Sequence, residues 1–248
     1  MESGIRNGRL VAVVGIDGAG KTSQVQRLAE WFEGSGHPTR LFLNQSQLPV
    51  RRALDAIARE DGFPGHLDMI GADTIRLISA CARLSALAPV GDVLRTPGAV
   101  ALADRYTVCQ YAAVRLQGAD NEAFLRRLNR GLPKPDLTLF LDVDPAVARE
   151  RIRRRGIDEE TLEFLAAYRE AYRSLPEFAD LVVVDGNGSF DEVQELLRKE
   201  IQRALPRTSA APTGPVPCAS GPSTPPDEDA IIDGPGREPS PSSDERKW

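Results

Sequence analysis

The sequence predicts an α/β fold in which a five-stranded parallel sheet carries helices on both faces, a three-layer α/β/α arrangement. Between residues 10 and 205, short apolar runs alternate with helical patterns, which is typical of a parallel sheet built from strand–helix–strand units. A glycine-rich stretch follows the first apolar run, and acidic residues stand at the ends of three later runs. Because ligands bind at the carboxyl edge of such sheets, we expect a site there.

Five short runs rich in Val, Leu, Ile, Ala or Phe predict the strands. In chain order these runs are 10–14, 39–43, 100–103, 137–143 and 181–184. The clearest helical patterns lie between or after them, at 23–33, 68–87, 121–130, 146–155, 160–175 and 190–205. In the first of these patterns Val25, Leu28, Ala29 and Phe32 share one face, which predicts a helix packed against the sheet.

The stretch after the first strand reads Gly15-Ile16-Asp17-Gly18-Ala19-Gly20-Lys21-Thr22, a spacing typical of a phosphate-binding loop between a strand and a helix. Its glycines allow the backbone to approach closely, and the N–H groups at the helix start hold anionic oxygens. Lys21 would reach the β- and γ-phosphates, and Thr22 offers a hydroxyl to Mg²⁺. We therefore expect ATP or GTP binding. The residues predicted to hold ATP are Gly15, Asp17, Gly18, Ala19, Gly20, Lys21, Thr22 and Ser23.

Asp104 and Arg105 directly follow the third strand, at the same edge of the sheet as the loop. Phosphoryl transfer depends on positioning and on charge neutralisation rather than on covalent catalysis. Asp104 is expected to reach Mg²⁺ directly or through water, as the partner of Thr22 in the metal site. Arg105 is expected to hold an acceptor phosphate with two hydrogen bonds. The alternative interpretation of this dipeptide is a surface ion pair.

A basic run ends the fourth helical pattern. Glu150 and Arg154 form a favourable i,i+4 pair. Two other pairs have the same spacing but like charges, Arg149 with Arg153 and Arg151 with Arg155. The two arginines of each pair repel each other unless an anion lies close. A lid that closes over a triphosphate would supply that anion, so we expect a lid at about residues 149–160. Arg153 or Arg155 is the expected contact with the transferring group. The alternative is a solvated helix face.

Composition argues against several classes of partner. The formal net charge is −5 at pH 7, and no basic stripe with interleaved aromatic residues is present, so nucleic-acid binding is not expected. Cys81, Cys109 and Cys218 are widely spaced, which indicates neither a disulfide framework nor zinc and favours the cytoplasm. We see no secretory signal and no apolar run that approaches membrane-spanning length, so no membrane association is expected.

The composition changes at about Leu205. Ten of the nineteen prolines lie between Pro206 and Pro241, mixed with Gly, Ser, Thr and acidic residues, which predicts a disordered tail. We therefore expect three regions: an N-terminal extension at 1–9, one nucleotide-binding domain at 10–205 and a proline-rich tail at 206–248.

These residues resemble the thymidylate kinase family, within the P-loop nucleoside monophosphate kinases. The resemblance spans about residues 10–205 and rests on four motifs. They are the loop 15–23, Asp104-Arg105-Tyr106, Leu132-Pro133-Lys134-Pro135-Asp136 leading into Leu139-Phe140-Leu141-Asp142-Val143-Asp144-Pro145, and the arginine-rich lid.

The resemblance implies transfer of the ATP γ-phosphate to a pyrimidine deoxynucleoside monophosphate, dTMP to dTDP, with Mg²⁺ required. It places Asp17 near the acceptor sugar, Arg105 near the acceptor phosphate and Arg83 near the base. It also implies a homodimer formed through helices. The residues expected to act in catalysis are Lys21, Asp104, Arg105, Arg153 and Arg155. Those expected to bind the acceptor are Asp17, Ser79, Arg83, Arg105, Tyr106, Gln110 and Tyr111.

The chain departs from the family pattern mainly at the acceptor side. Residues 44–49, Asn-Gln-Ser-Gln-Leu-Pro, replace the family's Arg-Glu-Pro-Gly-Gly-Thr motif and so remove a phosphate-gripping arginine. Ser79 stands where an aromatic residue stacks on thymine, and Ala82 replaces the acidic neighbour of Arg83. The stretch after Tyr106 lacks the aromatic residue that the family carries near Ala113, although Tyr111 or Gln110 could compensate.

Two alternatives therefore stay open from the sequence. One is a kinase for a different or modified nucleoside monophosphate, because stacking and edge contacts define which base is accepted. The other is a non-catalytic nucleotide-binding regulator, which has no need for the full set of Lys21, Thr22, Asp104, Arg105 and lid arginines. A signalling GTPase is disfavoured because the chain carries no Asn-Lys-x-Asp element after a strand.

Overall fold

The structure, a computed structural model, describes residues 7–44, 48–156 and 160–205. The strands are β1 (Arg9–Gly15), β2 (Thr39–Phe42), β3 (Val100–Asp104), β4 (Leu137–Asp142) and β5 (Val182–Asp185). They form one sheet in the order β2–β3–β1–β4–β5, and every pair is parallel. Each strand matches its predicted run to within one residue at either end, and the predicted fold class is confirmed.

The helices include all of the predicted patterns. They are α1 (Lys21–Gly34), α2 (Leu48–Glu60), α3 (His66–Leu87), α4 (Val90–Arg95), α5 (Thr107–Gln117), α6 (Glu122–Leu128), α7 (Pro145–Arg155), α8 (Leu162–Arg173) and α9 (Phe190–Ala204). Short 3₁₀ turns follow at Asn129–Gly131 and Pro176–Asp180. Helices α2, α4 and α5 go beyond the predicted set, because α2 is polar, α4 is short and α5 begins at Thr107, directly after the Asp104-Arg105-Tyr106 motif.

Strand β1 lies at the centre of the sheet, and six of its seven residues are buried, as expected for a parallel strand covered on both faces. Its neighbours are β3 and β4. In the parallel register Val13 pairs with Asp104, so the loop after β1 and the residues after β3 emerge side by side. This crevice at the carboxyl edge is where open α/β sheets bind ligands.

Helix α7 begins as the sequence predicts. The Asp144 carboxylate accepts the Ala146 N–H at 2.8 Å, and Pro145 occupies the first turn, where its missing N–H costs nothing. Gly156 ends the helix at φ 69°, a left-handed conformation that favours glycine. The helix that carries the basic run is therefore fixed at both ends.

The segment His66–Arg95 corrects one expectation. An 18-residue window within it reaches a mean hydropathy of 1.5, so it is long and apolar enough to cross a membrane by length and composition alone. Core helices of soluble proteins pass the same test. Here α3 buries Ile75, Ser79, Ala80 and Arg83 and contacts α2 and α5, so we assign it to the folded domain.

Four regions singled out from the sequence fall partly or wholly outside the described residues. These are residues 1–6 of the N-terminal extension, residues 45–47 of the segment that replaces the family motif, residues 157–159 of the lid, and the tail at 206–248.

Candidate nucleotide-binding site

The loop between β1 and α1 depends on glycine at two positions. Gly18 has φ 78°, and a Cβ there would lie 2.4 Å from the carbonyl oxygen of Ala148 in α7. Gly20 caps α1 at φ 87°, with no atom within 4 Å of a Cβ placed on it. The loop thus packs against α7 on one side and presents open backbone on the other, next to the N-terminus of α1.

Lys21 is buried in the first turn of α1, and its Nζ donates to the carbonyl oxygen of Ile16 at 2.6 Å. Burial, and then the Arg105 charge, lower the pKa of Lys21 to about 8 against the opposing effect of Asp17. An anionic group beside this amine would favour its charged form. The loop therefore holds a desolvated cation at the position where the sequence predicts phosphates.

The lowered pKa of Lys21 makes the stability of the fold depend on pH. The unfolded chain binds more protons at Lys21 than the folded chain between about pH 8 and pH 10, so this residue makes stability rise with pH in that window. We expect Lys21→Met to reduce that rise by about 1–3 kcal/mol. Urea unfolding at pH 8 and pH 10 measures it, with Lys199→Met, an exposed site on α9, as control. Equal pH slopes in wild type and Lys21→Met would contradict the burial of a titrating amine.

Thr22 and Asp104 meet because β1 and β3 are neighbours. The Thr22 hydroxyl donates to Oδ2 of Asp104 at 2.6 Å. Asp104 is buried, and its Oδ1 has no hydrogen-bond partner among the described residues. The described ranges hold no cluster of three His, Cys, Asp or Glu side chains suited to a metal. A hydroxyl and one carboxylate fit Mg²⁺, which uses few protein ligands and completes its shell with water and phosphate oxygens.

Arg105 adopts a left-handed backbone conformation with φ 67°, which is costly for a residue with a side chain. Its N–H donates to the carbonyl oxygen of Val13 at 2.9 Å, and its guanidinium forms an ion pair with Asp17 of the loop. Burial opposes the charge of Arg105, but the Asp17 carboxylate outweighs it, so the pKa of Arg105 lies above its usual value. Burial likewise would raise the pKa of Asp17, but Arg105 and then Lys21 lower it.

Arg83 lies behind Arg105, near the C-terminal end of α3. It donates to the Arg105 carbonyl oxygen at 3.0 Å and to the side-chain oxygen of Asn44. Arg83 is 5% exposed, and burial lowers its pKa. Asn44 opens the segment that replaces the family motif after β2, so this segment contributes an orienting group although its arginine is absent.

A cavity of about 220 Å³ lies beside these residues. Five predicted acceptor-binding residues line it: Asp17, Ser79, Arg83, Arg105 and Gln110. The cavity opens between helices α2, α3, α5 and α8, next to the phosphate loop. Donor-side and acceptor-side candidates therefore meet at the Asp17–Arg105 ion pair.

Comparison with known proteins identifies the family. The family model described as thymidylate kinase matches residues 13–197. The chain belongs to the thymidylate kinase family. It is 33% identical to the thymidylate kinase of Afipia carboxidovorans over 212 residues, which cover 80% of this chain and 90% of that protein. It is 34% identical to the thymidylate kinase of Thiobacillus denitrificans over 205 residues, with coverage of 79% and 97%.

The fold is also that of a solved member. The structure of thymidylate kinase from Candida albicans superposes with a TM-score of 0.62 at 23% identity, covering 79% of this chain and 92% of that chain. The family membership makes the chain a nucleoside monophosphate kinase, whose donor is ATP and whose family reaction is the phosphorylation of dTMP to dTDP.

Two aromatic residues that the sequence analysis misses line the acceptor cavity. Phe164 and Tyr168 of α8 lie on its wall, with ring centroids 6.1 Å apart. They offer apolar ring faces in a thymidylate kinase whose Ser79 and Ala113 positions lack them. Their i,i+4 spacing on a predicted helix after the lid is a signal that could have found them.

Helix α8 is tied firmly to the sheet. Asp142 at the end of β4 accepts two hydrogen bonds from Arg169, at 2.6 and 2.8 Å, and one from Arg173 at 3.0 Å. Burial would raise the pKa of Asp142, but Arg169 and Arg173 lower it. The Tyr172 hydroxyl donates to the Gly15 carbonyl oxygen at 3.2 Å. These contacts hold α8 in the orientation in which its aromatic residues face the phosphate loop.

Two predicted acceptor residues lie elsewhere. Tyr106 is buried, and its hydroxyl donates to the Pro133 carbonyl oxygen at 2.7 Å. The ring of Tyr111 faces the Arg126 guanidinium, 4.2 Å from the ring centroid. Both tyrosines line a second cavity near residues 132–138 and stand outside the lining of the acceptor cavity. Tyr111 is one position beyond Gln110 on α5, about 100° further round the helix axis, and its ring faces Arg126 of α6 instead of the acceptor cavity.

The basic run of α7 corrects the charge argument for the lid. Arg151 donates to the carbonyl oxygens of Gly186 and Gly188, each at 2.8 Å, and of Asn187 at 3.3 Å. The positive charge of Arg151 is therefore compensated by the dipoles of these backbone carbonyl groups, so no anion is needed between Arg151 and Arg155. Arg153 is exposed and lies 3.6 Å from Glu150. The Arg155 charge is among those that lower the pKa of Asp17.

Arg151 should be important for stability rather than catalysis. Replacing it with Leu leaves three carbonyl oxygens without their donor, so we expect a loss of about 1–3 kcal/mol in the free energy of unfolding. Urea denaturation measures the change. Arg149→Leu, an exposed position two residues earlier, should lie within about 0.5 kcal/mol of wild type. Equal stability of the two variants would show that the Arg151 contacts contribute nothing.

Proposed function

We propose that this chain transfers the γ-phosphate of ATP to dTMP, forming dTDP and ADP, with Mg²⁺ bound by Thr22 and Asp104. The ion pair between Asp17 and Arg105 carries the proposal. It joins the phosphate loop to an arginine that lines the acceptor cavity. The groups that would hold the donor and acceptor phosphates are thereby fixed next to each other.

Transfer at such a site is mainly a matter of positioning and charge. Lys21 would neutralise the β- and γ-phosphates, and the N–H groups of the loop would hold their oxygens. Arg105 would orient the acceptor phosphate, with its own guanidinium held by Asp17. Mg²⁺, when bound, would offset negative charge on the phosphate oxygens.

The acceptor cavity has polar atoms suited to a pyrimidine. Ser79 Oγ, Gln110 Nε2 and Arg83 Nε are buried and have no partner within the described ranges. Buried polar atoms are normally paired, so their convergence on one cavity supports recognition of the carbonyl and imide edge of a base. Phe164 and Tyr168 would supply the stacking surface.

The lid arginines complete the proposed site. Arg155 acts electrostatically on Asp17, which supports it as the group that reaches the transferring phosphate when the lid closes. Arg153 is exposed and paired with Glu150 in this structure; we propose the same role for it in the closed state only.

We further propose that the enzyme works in the cytoplasm as a homodimer and has no nucleic-acid partner. Exposed apolar side chains on three helices, Ile57 of α2, Leu77 of α3 and Phe124 of α6, support a dimer formed through helices. The net charge of −5 supports the absence of a nucleic-acid partner. Sedimentation equilibrium tests the dimer directly.

Steady-state ADP release tests the proposed reaction. The full chain is incubated with ATP, Mg²⁺ and one of dTMP, dUMP, dCMP, UMP or dGMP. We expect the highest kcat/KM with dTMP and no release when Mg²⁺ is removed with EDTA. A higher kcat/KM with another monophosphate would establish a kinase of changed acceptor, and release with none of them would favour the regulator.

A further inference from the structure

The acceptor cavity contains two arginines for which the proposed reaction has no use. Four arginines line it: Arg51, Arg76, Arg83 and Arg105. Arg83 and Arg105 have the partners described above. Arg51 of α2 and Arg76 of α3 form no hydrogen bond or ion pair within the part of the chain that the structure describes, and the Nε of each is buried without a partner.

Arg51 and Arg76 occupy a different part of the cavity from Arg83 and Arg105. Arg76 lies seven residues before Arg83 on the regular part of α3, after the break at Gly71. Seven residues are two turns, or about 10.5 Å along the helix axis, on the same face. Electrostatic coupling agrees with this placement, because Arg51 acts on Arg76 whereas Arg105 acts on Arg83.

Keeping Arg51 and Arg76 together is unfavourable in the absence of an anion. Burial, and then the Arg51 charge, lower the pKa of Arg76 to about 10. Two carboxylates, those of Asp17 and Glu160, line the same cavity, and Asp17 is already bound to Arg105. Two guanidinium groups that line one cavity, each with a buried Nε that lacks a partner within the described residues, are well suited to bind a carboxylate or a phosphate.

We propose that Arg51 and Arg76 form a second anion subsite, which takes a carboxylate or phosphate group that the acceptor carries in addition to its 5′-phosphate. This proposal rests on the proposed function, because it takes the acceptor to bind with its 5′-phosphate at Arg105 beside the loop. The preferred acceptor is then a pyrimidine nucleotide with an acidic group at the end remote from the loop. dTMP is accepted without using this subsite.

Two nucleotides with an additional acidic group test whether that group belongs on the base or on the sugar of the preferred acceptor. One is dUMP with a carboxylate at C5 of the base, and the other is thymidine 3′,5′-bisphosphate. We expect one of them to have a KM at least about 10-fold below that of dTMP, the gain expected from hydrogen bonds to charged groups. A low KM for the first places the anion on the base, and a low KM for the second places it on the sugar.

Variants of the pair test the assignment. In Arg76→Leu, and independently in Arg51→Leu, the KM of the favoured charged nucleotide should rise to that of dTMP. Arg52→Leu is the matched control, because Arg52 is the exposed neighbour on α2; it should keep the wild-type ratio of the two KM values. Circular dichroism of each variant establishes that it is folded.

Several results would overturn the subsite. If dTMP is phosphorylated but both charged nucleotides have equal or higher KM values, the proposed function stands and the subsite does not. If Arg76→Leu raises the KM of dTMP and of the charged nucleotide by one common factor, the pair holds the 5′-phosphate instead. If no nucleotide is phosphorylated, the proposed function fails and calorimetry decides the subsite. Tighter binding of a charged nucleotide than of dTMP then supports the subsite, and equal binding overturns it.

Discussion

Replacing Lys21 with Met is expected to lower kcat by about 10²–10³-fold. The Nζ atom is the buried cation of the phosphate loop, and its positive charge would be used most fully when charge develops between the donor and acceptor phosphates. Met retains the length and apolar contacts of the side chain. The loss should therefore come from the missing charge and not from a disrupted loop.

ADP release with saturating ATP and dTMP measures this effect, and urea unfolding at pH 7 shows whether the fold is intact. Lys199→Met changes the same residue type on the exposed side of α9 and should keep wild-type kcat. A Lys21→Met enzyme that turns over within about threefold of wild type would remove Lys21 from the assigned role.

Replacing Arg105 with Gln is expected to lower kcat/KM for dTMP by about 10²–10³-fold, with much of the loss in KM. The guanidinium is fixed by Asp17 next to the loop and by a strained backbone, so it binds the acceptor phosphate without having to be ordered first. Arg105→Lys should be intermediate, because an ammonium keeps the charge but loses the planar fork.

The same variants separate binding from folding. Equilibrium binding of dTMP should weaken in Arg105→Gln while ATP binding remains close to wild type, because Lys21 and the loop are unchanged. Arg130→Gln, at an exposed position that lines neither cavity, serves as control. Unchanged dTMP affinity in Arg105→Gln would show that the acceptor phosphate lies elsewhere, with Arg51 and Arg76 as the next candidates.

The fold and the donor side could be predicted because their signals are local. The loop 15–22 is one uninterrupted motif, and each strand is one apolar run whose polar end must emerge at the carboxyl edge of a parallel sheet. The prediction that Asp104 lies beside the loop needs only that β1 and β3 are neighbours. Their hydrogen-bonded side chains, Thr22 and Asp104, agree with it.

The acceptor side could be predicted only in part, because it is assembled from helices far apart in the chain. The resemblance to the family points to Ser79, Arg83 and Gln110, but the packing of α8 on α5 decides that Phe164 and Tyr168 join them. Rotation about a helix axis is not fixed by residue type. This is why Tyr111 turns to Arg126 and why Arg151 turns to the carbonyl oxygens after β5.

A phosphorus-31 NMR experiment tests the central claim most directly. Full-length protein is mixed with ATP, dTMP and Mg²⁺, and the spectrum is followed over time. The proposed reaction predicts that dTDP and ADP appear together in equal amounts while ATP and dTMP decline, and that Lys21→Met slows the appearance of both products by about 10²–10³-fold. Inorganic phosphate with unchanged dTMP, or an unchanged ATP spectrum, would contradict phosphoryl transfer to dTMP.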